Sequence, residues 1–130
     1  DIPADTIPVA FPETEKKNSI ELPYNLSDLI KLTMSDEALL DDVLKQLYRE
    51  NDIEIDNAYA LIATENLKEL SVLIHRIASR FQQIKANEKN ELLYKIEQRF
   101  RASSGISKNE IIELLDYWKN INEKIRSDLF

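Results

Sequence analysis

Residues 67–84 read LKELSVLIHRIASRFQQI. Leu67, Leu70, Ile74, Ile77, Phe81 and Ile84 recur at spacings of three and four, which is the period of an amphipathic helix with one apolar stripe. At about 100° per residue, the centre of that stripe lies roughly 130° from His75, the only histidine of the chain. The reading is an exposed imidazole on the outer side of a core helix.

The neighbours of His75 on that outer face are Ser71, Val72, Ala78 and Ser79 one turn away, with Lys68 and Gln82 a turn further. Most are small. Solvated helix faces usually carry long charged chains, so a low patch around one imidazole suits the close approach of another protein. Arg76 and Arg80 flank the patch and are candidate cations for an anionic group, against the plainer reading of surface cations paired with Glu69 or nearby acids.

Upstream, Asn25 is placed to cap a short helix over Leu26 to Thr33. Asp36 and Glu37 then open a long helix whose apolar positions are 40, 44, 47, 55, 58 and 62, with Asn51 as a polar interruption. It spans about 28 residues and roughly 42 Å, ending at a break over Thr64 to Asn66. Within it, Asp52 to Asp56 alternates like a strand, but a lone strand has no partner in this sequence. Downstream, Asn87 and Glu88 open a helix carrying Leu92, Leu93, Ile96 and Phe100, and Gly105 stops it. Ser107 and Glu110 form a capping box for a last helix with Ile111, Leu114, Leu115, Trp118, Ile121 and Ile125 on one face. The expectation is an all-α fold, an antiparallel up-down four-helix bundle over 23–130 with a short additional N-terminal helix. Residues 1–22, with Pro3, Pro8, Pro12 and a charged run, read as a linker.

Composition narrows the function. A net charge of −7, from 24 acids against 17 bases, repels nucleic acid and anionic lipid, so neither is an expected partner. Cysteine is absent, which excludes disulfides and thiolate metal sites and favours the cytoplasm. No apolar run approaches the roughly 20 residues of a membrane span. The chain opens on Asp1 rather than Met and is expected to be a piece of a longer protein, whose cytoplasmic part it would form if that protein is membrane-bound. No metal site is expected. The run Asp52, Glu54, Asp56 lacks the turn glycine of a calcium loop and has Ala63 where its bidentate glutamate belongs, and the side chains of Asp41 and Asp42 diverge on a helix. Trp118 and the tyrosines read as core and boundary residues.

The segment from Asn25 to Ala86 resembles a histidine-containing phosphotransfer domain. The likeness rests on Leu26-Ser27-Asp28-Leu29, on Ser35-Asp36-Glu37-Ala38-Leu39-Leu40 and on the stretch from Leu73 through His75 to Ala86, with Ile77 two residues after the histidine. It covers about 100 residues if the two closing helices are counted. The family usually has Lys-Gly three residues after the histidine; this chain has Ala78-Ser79. The resemblance implies that His75 is a phosphoryl acceptor and that Arg76, Arg80 and Gln82 are candidates to stabilise the group in place of the missing lysine. Lys68, Ser71, Val72, Ala78 and Ser79 would form the docking patch for response-regulator receiver domains.

A neutral imidazole offers a ring lone pair to phosphorus. The chain has no Gly-rich phosphate loop and no Walker motif, so it reads as a carrier rather than an enzyme, with no cofactor of its own. By resemblance, Mg²⁺ and the catalytic groups belong to the receiver, the parent is a hybrid two-component sensor kinase, and the isolated domain is a monomer. The competing reading is a helical adaptor that docks a protein without being phosphorylated. A dimeric sensor-kinase histidine domain is less well matched, because no ATP-binding domain follows within this chain.

Overall fold

The computed structural model describes residues 22–130, so the linker expected over 1–22 lies, apart from Leu22, outside the described residues. Five helices follow in order: α1 (Ser27–Leu32), α2 (Glu37–Thr64), α3 (Leu67–Gln83), α4 (Asn90–Ala102) and α5 (Lys108–Leu129). There is no strand among the described residues, and Asp52 to Asp56 lies in the middle of α2. No helix among them is long and apolar enough to cross a membrane.

Side chains at the helix ends set the boundaries. The Oδ1 of Asn25 accepts from the Ser27 N–H at 2.8 Å, forming a turn just ahead of α1. Met34 and Ser35 both take positive φ, and Asp36 then caps α2 by accepting from the Leu39 N–H at 3.0 Å. α2 ends where Glu65 turns left-handed, and the next residue, Asn66, caps α3 by accepting from the Glu69 N–H. Two residues therefore separate 28 helical residues from 17 more.

Two boundaries and one cap differ from the sequence reading. α4 starts at Asn90 instead of Asn87. The chain leaves α3 through Lys85 in a left-handed conformation, buries Ala86, and needs a further turn in which the Asn87 carbonyl accepts from the Asn90 N–H at 3.1 Å. At its other end α4 closes on Ser103 with φ 55°, two residues before Gly105. The capping box at Ser107 is half made. Its Oγ accepts from the Glu110 N–H at 3.2 Å, while the Glu110 carboxylate pairs with Arg99 and with Lys95 at 3.4 Å, tying α5 to α4.

The long helices close a ring of contacts: α2 packs on α3 and α5, and α4 packs on the same two. Leu70, Ile74, Ile77, Phe81 and Ile84 are buried as the stripe of α3 predicts, whereas Leu67, in its first turn, is exposed. Phe81 stacks on Trp118 of α5 with centroids 5.5 Å apart and planes 5° from parallel. Between these apolar layers runs a polar seam. Asn51 of α2 is fully buried; its Oδ1 accepts from Arg80 Nε at 2.6 Å and its amide donates to Asn122 Oδ1 of α5 at 3.4 Å. Asn122 in turn donates to the Tyr48 carbonyl at 3.1 Å, so every group in the seam has a partner.

The start of the described chain is tied to its end. The hydroxyl of Tyr24 donates to Asp128 Oδ2 at 2.9 Å, and the Asn25 N–H donates to the Ile84 carbonyl at 2.6 Å. Burial, followed by the hydrogen bond to Asp128, pushes the Tyr24 phenol from 10.0 up to about 12. Tyr59 of α2 is pushed up in the same way by burial and by its bond to Asp116 of α5. In the unfolded chain both phenols ionise near pH 10 while the folded chain keeps its protons, so stability falls as the pH rises above that point. Urea unfolding is therefore expected to show a loss of stability between about pH 10 and pH 12 that is smaller in the Tyr24→Phe, Tyr59→Phe double variant. An identical alkaline slope in that variant would show that these phenols are not its source.

Candidate functional site

His75 lies midway along α3, and its side chain is 74% exposed because the helix turns Ile74 and Ile77 inward on either side of it. Its Nδ1 lies 2.9 Å from Oε2 of Glu97, which projects from α4 and is itself only 26% exposed. A carboxylate at this position accepts, so in the neutral ring Nδ1 carries the proton and Nε2 the lone pair. The lone pair of that ring is then on the nitrogen that Glu97 does not hold.

Sequence reasoning missed Glu97. The signal was present in the chain reversal between α3 and α4: counting eleven residues back and eleven forward from the buried Ala86 reaches His75 and Glu97. The two side chains border an open depression of about 290 Å³ that is also lined by Ser71, Val72 and Arg101. Arg101, too, was not among the residues singled out.

The expected docking residues divide into two groups. Val72 is 57% exposed, Lys68 is exposed and Ser71 is half-buried. Lys68 and Val72 also line a groove of about 730 Å³ between α2 and α3, with Glu54, Leu61 and Arg76. Together with Ser71 they border a third recess, of about 440 Å³, against Phe100 and Ile106. These three therefore lie on one recessed surface beside the histidine. Ser79 is exposed, with its hydroxyl donating to the His75 carbonyl at 3.1 Å. Ala78 is a correction. It is 3% exposed and belongs to the core, because α3 is flanked by α2 and α4 and so buries a wider arc than the stripe alone defines.

The expected cations both pair with Glu54 of α2. Arg80 has a side chain only 14% exposed, and it is committed to Asn51, to Glu54 and, at 3.8 Å, to Glu50, all on α2. Arg76 is exposed, but its Nε pairs with Glu54 Oε2 at 3.0 Å. Positions 76 and 80 lie about 100° and 140° around the helix from His75, on the α2 side, so neither guanidinium faces the ring. Gln82 is exposed two turns on, roughly 10 Å along the axis, and borders the patch without reaching the ring. No cluster of acids or histidine suited to a metal occurs among the described residues, and Glu54, from the acidic run, is taken up by the two arginines.

The two arginines should behave differently on removal. Arg80→Ala leaves the Asn51 carbonyl and the Glu54 carboxylate without their buried partner and is expected to cost about 2–4 kcal/mol in urea unfolding. Arg76→Ala breaks an exposed pair and should cost under about 1 kcal/mol. Equal losses for the two variants would contradict this assignment. Compared with family models, curated proteins and solved structures, the chain finds no match.

Proposed function

We propose that this chain is a phosphorelay carrier in which His75 accepts a phosphoryl group from the aspartyl phosphate of a receiver domain and passes it to another receiver. The observation that carries the reading is the bond between Nδ1 and Glu97 on a side chain that is 74% exposed, which leaves Nε2 as the ring nitrogen not held by Glu97. A partner's phospho-aspartate can approach that nitrogen in line, beside the recessed surface of Lys68, Ser71 and Val72.

The step balances without a cofactor in this chain. The Nε2 lone pair forms the N–P bond as the P–O bond to the aspartate breaks, and the aspartate leaves as a carboxylate with the electron pair. The ring keeps its Nδ1 proton and becomes positively charged, so the adjacent Glu97 carboxylate stabilises the product more than the free imidazole. Reversal of the same step hands the group on. Mg²⁺ belongs to the receiver and is not held here.

The closed ring of contacts among α2, α3, α4 and α5 supports the finer architecture, an antiparallel up-down four-helix bundle with α1 as a short addition. In this reading the domain works as a monomer on the cytoplasmic side of a hybrid sensor kinase. Docking without phosphorylation is the alternative, favoured by the burial of Ala78 where the resembling family carries lysine.

Incubation with a panel of phosphorylated receivers is expected to place acid-labile label on the chain, and His75→Gln should abolish it. Glu97→Ala removes a charge-assisted hydrogen bond and should slow transfer roughly tenfold to a hundredfold. Failure of every receiver to label the wild-type chain would favour the adaptor.

A further inference from the structure

We infer that Arg101 is the cation that holds the phosphoryl group on His75, in an anion subsite formed by the depression between α3 and α4. The inference rests on the phosphorelay reading and adds to it the residue that replaces the missing lysine. Three observations carry it. The first is position: Arg101, Glu97, His75 and Ser71 line one depression of about 290 Å³, which is roomy for a phosphoryl group. Arg101 stands one helical turn beyond Glu97 on the same face of α4.

The second is availability. Arg76 and Arg80 are bound to Glu54, and Arg99 is bound to Glu110. Arg101 forms no ion pair among the described residues, and Glu97, its i−4 neighbour, is turned to the imidazole. An arginine in the last turn also suits the carbonyl end of α4. Arg99 occupies that same turn, yet it faces α5, so the helix end alone does not account for a guanidinium in the depression.

The third is charge. Phosphorylation brings up to two negative charges next to the Glu97 carboxylate, which already holds the other ring nitrogen. Like charges at this spacing oppose each other, and a planar guanidinium that donates to two phosphoryl oxygens offsets the repulsion. Arg101 supplies that group, and Ser71 lines the same depression.

The test uses phosphoramidate, a small donor that phosphorylates histidine without a receiver, with phosphorus NMR following the 130-residue chain. Wild type should give a phosphohistidine signal that His75→Gln lacks. Arg101→Gln should form it about tenfold more slowly, Arg101→Lys should retain most of the rate, and Arg99→Gln, which removes the same charge from the same turn, should match wild type. If Arg101→Gln equals wild type in both formation and hydrolysis, the subsite is overturned while phosphoryl acceptance stands. If wild type gives no His75-dependent signal, acceptance fails and the subsite with it. Should Arg101→Gln melt early, Arg101→Lys decides: recovery of the rate supports the subsite, and a rate as low as that of Arg101→Gln overturns it.

Discussion

The rotational setting of α3 about its own axis governs everything at the site. Burying Leu70, Ile74, Ile77, Phe81 and Ile84 on one side is worth on the order of 10 kcal/mol. Turning the helix by a single residue, about 100°, would expose part of that stripe and swing His75 toward a neighbouring helix. No interaction of the imidazole itself approaches that magnitude. The exposure of the ring is thus a product of hydrophobic packing elsewhere on the same helix.

A second restraint acts on the flank of α3. Arg80 reaches across to Asn51 and Glu54 of α2, and Asn51 continues to Asn122 of α5. Apolar contacts tolerate sliding by small amounts, but directional bonds among buried amides and a guanidinium do not. The seam therefore fixes the level at which three helices meet. It also commits the Arg80 guanidinium to α2, away from His75.

Much of this was legible in the residues. The period of 67–84 set both the core face and the exposure of His75, the 64–66 break and the Ser107 cap marked real helix ends, and Asn51 stood out as a polar residue in an apolar seam. What escaped has a common cause. Periodicity gives the angle of a residue on its own helix, yet does not say which neighbour occupies that direction. Ala78 and Leu73 lie about 70° to either side of the stripe's centre, and both are buried because α3 has a helix on each flank. Arg80 looked like a surface cation for the same reason. Glu97 and Arg101 sit on another helix, and only the way the chain reverses after Ile84 brings them to His75.

The bond from Tyr24 to Asp128 holds both ends of the described chain together, and that from Asn25 to Ile84 ties its start to the end of α3. Adjacent ends of the described residues make the order of the helices along this stretch partly arbitrary. A permuted protein, joined from residue 130 to residue 22 by a short linker and opened in the exposed turn after Ser103, retains every helix and every pairing between them. The site, built from the middle of α3 and the second half of α4, belongs to the packing of the helices and not to their sequence order.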